Sequence, residues 1–259
     1  MKFETIAKIV EGVRFISPGN ARILYDLIVS ERRNNILELG IAHGTATCYM
    51  AAAVDELGQG GKVTAVDLER ARAEFSPSAE EQLAGAGLSH LVRIVRMKTG
   101  YNWFLHDNIR ENTKDDVCAE QYDLCIIDGP KNWTIDGLAF FLVDKLLKPD
   151  GVLIFDDYDW TYSSAGRKRD QTDGVQHNDL SDAELRTPQI REVFELLVKQ
   201  HPNYGQFELL PGSDWAIARK TKSDAKTYTV RYDSTSENPV KRFLRKRKAR
   251  RREAALRNK

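Results

Sequence analysis

The stretch ILELGIAHGT, residues 36–45, decides how this chain folds. An apolar run that ends in two closely spaced glycines is typical of a buried strand, a tight turn and a helix. Gly40 is expected to let the chain turn and a ligand approach the backbone, and Gly44 to do the same where the helix begins. The GxGxxG pattern of dinucleotide sites fails, because Ala42 and Thr45 replace its second and third glycines.

Strand and helix patterns alternate on both sides of this stretch. The predicted strands are 35–40, 62–68, 91–97, 122–128 and 151–157, followed by a hairpin over 207–219 that turns at Pro211-Gly212. The predicted helices are 3–15, 20–30, 45–57, 77–87, 134–147 and 188–200. This order predicts an α/β fold: a Rossmann-like, doubly wound, mostly parallel sheet of seven strands with a terminal antiparallel hairpin strand.

The chain is expected to divide into three segments. A helical lead-in covers 1–35, a ligand-binding α/β domain covers 36–220, and a polar linker with a basic tail covers 221–259. A short strand at 227–232 and a long polar loop at 158–187 are also expected.

Charge is unevenly distributed along the chain. Residues 240–259 contain eleven Lys or Arg and one acidic residue, a net +10, which leaves −9 for the rest of a chain whose total is +1. Such a tail suits a polyanion, either nucleic acid or an anionic membrane surface, contacted through 239–259. A solvated tail and a contact for an acidic protein are the alternatives.

Composition indicates a soluble protein of the cytoplasm. The three cysteines are odd in number and lack CxxC spacing, so neither a disulfide framework nor a zinc site is expected. The first fifteen residues lack the features of a signal peptide, and no apolar run is long enough to span a membrane. The oligomeric state is left open.

The second predicted strand ends at Asp67, where a carboxylate can accept hydrogen bonds from both ribose hydroxyls. Its negative charge would repel a 2′-phosphate. A glycine turn and a ribose acid without a pyrophosphate cradle suit an adenosine ligand that has no phosphates, and S-adenosylmethionine is such a ligand. The alternative is that the glycines only make a tight turn.

Acidic residues follow the fourth and fifth predicted strands. Asp128 and Lys131 follow one strand, and Asp156 and Asp157 follow the other. Three neighbouring carboxylates cannot all remain ionised without a cationic partner. A hard divalent cation with oxygen ligands is the usual partner, whereas strand-end aspartates that cap helices are the alternative.

The segments ILELGIAHGTAT and VTAVDLE resemble the first two motifs of class I S-adenosylmethionine-dependent methyltransferases. The resemblance is greatest to the catechol and caffeoyl-CoA O-methyltransferase branch and to related bacterial small-molecule and sugar O-methyltransferases, and it covers about residues 17–219 in element order. It implies that Asp67 binds the ribose and that 97–100 edge the adenine. The residues implied at the methionine end are Glu38, Gly40, Ala42, Gly44 and Thr45.

The segment IDGPK and the later acidic pair are similar to the metal-dependent members of that branch. The resemblance implies that Asp128, Asp156 and Asp157 bind Mg²⁺ and that Asp128 also reaches the cofactor. It also implies that Lys131 is the general base, for which a lowered pKa is expected. His177, in the long loop, is a second candidate for the base. The aromatic residues expected beside an acceptor ring are Trp133, Tyr158 and Trp160.

Three functions follow from these patterns. The first is Mg²⁺-assisted O-methylation of a small hydroxylated or sugar-type acceptor. The second is methylation of RNA, with the basic tail on the phosphates, although the acidic body opposes it. The third is a module that binds S-adenosylmethionine without chemistry.

Overall fold

The computed structural model describes residues 1–165, 175, 179–210 and 212–223, and it also describes Val240, Phe243, Leu244, Lys246 and Arg247. Met1–Ser223 form one compact unit, and Asp224–Lys259 form a second. His177, the strand expected at 227–232 and most of the tail lie outside the described residues. None of the described helices has the length and apolar character that crossing a membrane would require.

Seven strands of the described chain form one sheet in the order β3-β2-β1-β6-β7-β9-β8. Five of them are parallel, and β9 runs antiparallel to both of its neighbours. Strands β4 and β5 form a separate small hairpin. The strands are β1 Asn35–Leu39, β2 Lys62–Leu68, β3 Val92–Met97, β4 Thr113–Lys114, β5 Val117–Cys118, β6 Tyr122–Ile127, β7 Leu147–Phe155, β8 Tyr204–Leu210 and β9 Trp215–Lys220.

Helices cover both faces of the sheet. They are α1 Phe3–Ile9, α2 Pro18–Ser30, α3 Thr45–Leu57, α4 Ala71–Glu74, α5 Ala79–Gly85, α6 Tyr101–Glu111, α7 Trp133–Asp144, α8 Asp182–Arg186 and α9 Gln189–Glu192. Helix α9 continues directly as a π-helical turn over Val193–Val198. Single 3₁₀ turns lie at Ser89–Leu91 and Tyr162–Ala165.

The alternation of side chains along each strand creates two apolar layers. On β1, Ile36 faces the layer formed with α1, α2, α3 and α5, whereas Leu37 faces the layer formed with α6, α7 and the π-helical turn. Both residues are fully buried, as expected for a parallel sheet that is covered on both faces. This arrangement confirms the predicted Rossmann-like fold.

The sequence predicted several boundaries wrongly. Helix α1 ends at Ile9 rather than at residue 15, and Gly12 follows with a φ of +79°. Strand β7 begins at Leu147, four residues before its predicted start, and therefore shortens α7. Helix α6 was not predicted, although its buried residues have clear helical spacing: Tyr101, Phe104, Leu105 and Asn108.

Candidate active site

The two glycines of the turn after β1 allow close contacts within the protein. Gly40 has a φ of +97°, and a Cβ there would collide with the backbone carbonyl of Asp128. Gly44 has a φ of +78°, and its Cβ would lie 2.5 Å from that of Ala79 at the start of α5. Glycine is therefore needed so that the turn can pack against the end of β6 and against α5.

Asp67, at the end of β2, organises the same turn. Its Oδ2 accepts hydrogen bonds from the backbone N–H groups of Ile41 at 2.9 Å and Ala42 at 3.0 Å. Its Oδ1 accepts from the N–H of Leu68 at 2.6 Å. Asp67, which is predicted to bind the ribose, thus has a structural role in the protein as well. It holds Ala42 in a left-handed conformation with a φ of +48°.

Glu38 lies beneath the turn as a buried carboxyl group. Its side chain accepts a hydrogen bond from the Thr47 hydroxyl at 2.5 Å, and the residue is 2% exposed. Burial, with a smaller effect of the Asp67 charge, raises the pKa of Glu38 to about 8. Thr45, also buried, donates its hydroxyl to the carbonyl of Arg14 at 3.0 Å and so ties α3 to the N-terminal segment.

A cavity of about 400 Å³ opens beside the glycine turn. Gly44 is not among its lining residues, because it packs behind the turn, and of the segment 97–100 only Thr99 and Gly100 reach the cavity. The predicted cofactor residues that do line it are Glu38, Gly40, Ala42, Thr45, Asp67 and Asp128. The ends of β1, β2 and β6 therefore meet at this cavity. Ligands of doubly wound sheets bind where the strand order reverses, and β1 and β6 are neighbours at that point.

The acidic residues after β6 and β7 converge around one lysine. Lys131 forms ion pairs with Asp128, with Asp157 at 3.4 Å and with Asp156 at 3.8 Å. Only 3% of Lys131 is exposed. The cationic partner that the sequence required is thus supplied by the chain itself.

This charge arrangement opposes the lowered pKa that was expected for a general base. Burial alone would lower the pKa of Lys131, but the negative charges of Asp128, Asp156 and Asp157 raise it above its usual value. Burial also raises the pKa of Asp128 and that of Asp156, and the mutual repulsion of the carboxylates adds to the effect. With these partners, Lys131 is an ammonium group at neutral pH.

The donor set also fits a hard divalent cation. One carboxylate oxygen from each of Asp128, Asp156 and Asp157 lies within 4.8 Å of the other two. An octahedral Mg²⁺ with bonds of about 2.1 Å needs ligand atoms no more than about 4.2 Å apart, so a small inward movement would complete the site. Asp156 is held in place because its Oδ1 accepts a hydrogen bond from the Trp215 indole at 2.6 Å.

Two tyrosines hold the segment that carries Lys131. The Tyr101 hydroxyl donates to buried Asp136, whose other oxygen accepts from the N–H of Asn132 at 2.6 Å. The Tyr162 hydroxyl donates to the carbonyl of Pro130 at 2.6 Å. These contacts surround Lys131, which has a φ of +62°, and stabilise an uncommon backbone conformation.

The aromatic residues near the site differ from those expected. Trp133, Tyr158 and Trp160 do not line either described cavity, and Tyr158 instead packs edge-on against Phe194. The aromatic residues that line the 400 Å³ cavity are Phe15, Phe75 and Tyr101. Phe15 and Phe75 also contact His43 of the glycine turn. The sequence did not predict these aromatic residues at the site because they lie in three separate segments of the chain. Tyr101 directly follows the glycine of a turn, which was the one available signal.

A second cavity, of about 420 Å³, lies between the N-terminal segment and the turn before β9. It shares Asp128, Asp156 and Asp157 with the first cavity, together with Phe15 and Ala46. Its other polar lining residues are Arg14, Ser17, Asn20, Ser213 and Asp214. The two cavities therefore adjoin at the acidic cluster, and each is large enough for a small molecule.

Comparisons with known proteins agree with this geometry. Residues 37–158 match a family model described as a methyltransferase domain. An O-methyltransferase from Bacillus cereus, in complex with S-adenosylhomocysteine, is 21% identical and has a TM-score of 0.57, with 84% of this chain and 90% of that chain covered. TomG, an O-methyltransferase of tomaymycin synthesis from Streptomyces achromogenes, in complex with S-adenosylmethionine, is 20% identical with a TM-score of 0.56, covering 86% and 92%.

A third similar structure is PaMTH1, a methyltransferase of Podospora anserina bound to S-adenosylhomocysteine. It is 14% identical and has a TM-score of 0.58, with 85% of this chain and 87% of that chain covered. No curated protein matches the sequence of this chain.

The Rossmann-like sheet and the match to a methyltransferase domain indicate the same class of protein. Residues 37–158 match a methyltransferase domain, and the chain is similar to class I S-adenosylmethionine-dependent methyltransferases. The resemblance noted in the first two motifs and the prediction of a methyltransferase enzyme are confirmed.

Proposed function

We propose that this protein transfers a methyl group from S-adenosylmethionine to a hydroxyl group of a small acceptor, with the assistance of Mg²⁺. The observation that carries the proposal is the pair of cavities that share Asp128, Asp156 and Asp157. A methyl transfer needs donor and acceptor on opposite sides of one point, because the acceptor oxygen attacks in line with the bond that breaks. Two cavities that adjoin at a reactive cluster would allow that arrangement.

The donor would occupy the cavity beside the glycine turn. Asp67 would accept hydrogen bonds from the ribose hydroxyls while it holds the turn, and its charge disfavours a nucleotide with a 2′-phosphate. Glu38 and Thr45 would lie at the methionine end with Gly40 and Ala42, and Asp128 would face the same space. All three similar structures described above hold this cofactor or its demethylated product.

Asp128, Asp156 and Asp157 would hold the Mg²⁺, which supplies a Lewis acid that lowers the pKa of the acceptor hydroxyl. The three carboxylates lie close together, and their oxygens are hard donors of the kind that Mg²⁺ prefers. Lys131 can act as a base only after its own ammonium has lost a proton, and the unneutralised carboxylates oppose that loss. The assignment of Lys131 as general base is therefore coupled to cation binding.

The reaction itself requires little covalent participation by the protein. Once cation binding has allowed Lys131 to release its own proton to solvent, the neutral amine would accept the proton of the acceptor hydroxyl, and the resulting oxygen would attack the methyl carbon of the sulfonium. The carbon–sulfur bond breaks as the oxygen–carbon bond forms, which leaves S-adenosylhomocysteine. The contribution of the chain is to align the two reactants and to keep the acceptor oxygen close to positive charge.

RNA methylation is less well supported as the function of this site. Four aspartates, namely Asp128, Asp156, Asp157 and Asp214, line the second cavity, and they would repel a phosphate backbone. Contact of the tail, 239–259, with a polyanion remains a separate proposal that rests on its net charge. Cytoplasmic location likewise remains a proposal, supported by three unpaired cysteines.

Calorimetry with S-adenosylmethionine and NAD tests the donor, and Mg²⁺ titration with thermal unfolding tests the metal. We expect S-adenosylmethionine to bind and NAD not to bind. Mg²⁺ should raise the melting temperature of the wild type, while Asp156→Asn should reduce that rise and Asp182→Asn, on α8, should leave it unchanged. Tight NAD binding without a response to S-adenosylmethionine would overturn the proposal.

A further inference from the structure

A tryptophan on β9 holds one carboxylate of the acidic cluster. The indole Nε1–H of Trp215 donates to Oδ1 of Asp156 at 2.6 Å. The two residues come from neighbouring strands of the sheet: Phe155 on β7 pairs with Ala216 on β9. Asp156 and Trp215 each lie one position beyond that pair. The contact is therefore set by the antiparallel pairing of β7 with β9 and not by a local turn.

The indole has little freedom to move. Only 4% of Trp215 is exposed, and the residue belongs to the apolar layer that β1 forms with α2 and α3. Its backbone N–H donates to the Ser213 hydroxyl at 3.2 Å, which holds the start of β9. Asp156 is held in turn, because its backbone N–H donates to the carbonyl of Ile127 at 3.2 Å. The donor and the acceptor are thus placed by two different strands.

This hydrogen bond gives the two oxygens of Asp156 different surroundings. Oδ1 accepts from the indole, whereas Oδ2 faces Lys131 at 3.8 Å. If the carboxylate rotated to present both oxygens to a cation, Oδ1 would leave the indole. A buried N–H group that loses its acceptor costs free energy, and the low exposure of Trp215 leaves its indole little access to water. Asp156 is therefore restricted to one ligand oxygen.

Single ligand oxygens suit one divalent cation better than another. Mg²⁺ requires a compact octahedron, whereas Ca²⁺ takes more ligands, at longer distances, and commonly binds a carboxylate through both oxygens. A set of three single oxygens within 4.8 Å of one another is closer to the first requirement. Lys131 repels both cations, which carry the same charge, and so it does not alter this comparison.

We propose that Trp215 is a positioning residue that makes the acidic cluster selective for Mg²⁺ over Ca²⁺, because its indole restricts Asp156 to one ligand oxygen. The inference rests on the proposed function, since it takes a divalent cation as the ligand of the cluster. It gives Trp215 a role that packing in the apolar layer does not require.

Trp215→Phe keeps an aromatic ring and removes the N–H donor. Dissociation constants for MgCl₂ and CaCl₂ are measured by calorimetry on the full chain, and in the wild type we expect Mg²⁺ to bind more tightly than Ca²⁺. In the variant the Mg²⁺ constant should rise about tenfold and the Ca²⁺ constant less, so that the preference for Mg²⁺ falls by about threefold or more. Trp103→Phe is the matched control, because Trp103 is exposed on α6 and stacks on His106. It should leave both constants unchanged.

The indole signals of protein labelled with ¹⁵N-tryptophan give a second measurement, which uses the wild type and does not depend on the folding of Trp215→Phe. The chain has four tryptophans, and replacing the other three one at a time assigns the remaining signal to Trp215; these three are Trp103, Trp133 and Trp160. We expect the Trp215 signal to shift as Mg²⁺ is added, with a midpoint at the calorimetric dissociation constant.

Two calorimetric results would overturn the inference: a wild type that prefers Ca²⁺, or an unchanged ratio of the two constants in folded Trp215→Phe. An equal loss of both affinities belongs to the second result, because a merely structural role would produce it. If Trp215→Phe does not fold, a Trp215 signal that Mg²⁺ leaves unmoved refutes the inference instead.

Failure of the proposed function has a different signature. A wild type that binds neither cation refutes the metal part of that function and this inference with it, and S-adenosylmethionine binding tests the methyl donor independently. A wild type that binds Mg²⁺ and keeps its cation preference in Trp215→Phe refutes this inference alone.

Discussion

Replacement of Glu38 by glutamine tests the most unusual ionisable group beneath the glycine turn. The carboxyl group is buried, and its pKa is raised to about 8 from a usual value of 4.5. Between these two pH values the unfolded chain carries an ionised Glu38 while the folded chain keeps the proton. The stabilising effect of this group is therefore fully present below about pH 4.5 and is lost progressively as the pH rises through 8.

The size of the effect follows from the shift. Each pKa unit corresponds to about 1.4 kcal/mol, and integration from pH 5 to pH 7 gives a loss of about 2.5 kcal/mol from this group in the wild type. Glu38→Gln keeps an acceptor for the Thr47 hydroxyl and has no charge to bury. The variant should therefore gain about 2.5 kcal/mol relative to the wild type between these two pH values.

Urea unfolding of the wild type and Glu38→Gln at pH 5 and pH 7 measures this difference. Glu111→Gln changes an exposed glutamate at the end of α6 and serves as the control. It should follow the wild type at both pH values. If the free energies of unfolding of the wild type and Glu38→Gln change in parallel, Glu38 is ionised in the folded protein, and the reasoning from burial is refuted.

Three further substitutions test the rest of the site. Gly40→Ala should lower the free energy of unfolding by at least about 2 kcal/mol, because a Cβ there meets the backbone of Asp128. Gly85→Ala, with open space around it, should be tolerated. Equal stability of the two variants in urea would contradict this. Asp67→Ala should lower the free energy of unfolding in urea by about 1–3 kcal/mol, because backbone N–H groups lose their acceptor. It should also weaken S-adenosylmethionine binding by a similar amount, and unchanged binding in calorimetry would count against the ribose role. Lys131→Met should lower stability by about 3–5 kcal/mol without Mg²⁺ and enlarge the Mg²⁺-dependent rise in melting temperature, and an unaltered melting temperature would contradict the ion-pair arrangement.

The sequence by itself determined the order of the elements and the end of the sheet where the chemistry lies. Apolar runs such as 36–39 and 122–127 must be buried on both faces, which requires a parallel sheet covered by helices. Since parallel strands end at one edge, Asp67, Asp128 and Asp156 had to approach one another. These are consequences of local pattern and of a general rule of topology.

Helix α6 was also within reach of the sequence, because its apolar residues have helical spacing. The boundaries of α1 and α7 were less accessible. They depend on where Gly12 interrupts the first helix and where Leu147 begins to pair with β6, and competition between neighbouring elements decides such points.

Only the tertiary structure decided the electrostatic state of the site. The sequence placed Lys131 near three carboxylates and predicted a lowered pKa, but the sign of the shift depends on burial and on distances of a few ångströms. The second cavity is also a product of tertiary structure. Asn20 and Ser213, separated by 193 positions, form one of its joints, and no local pattern encodes a contact between residues so far apart in the chain.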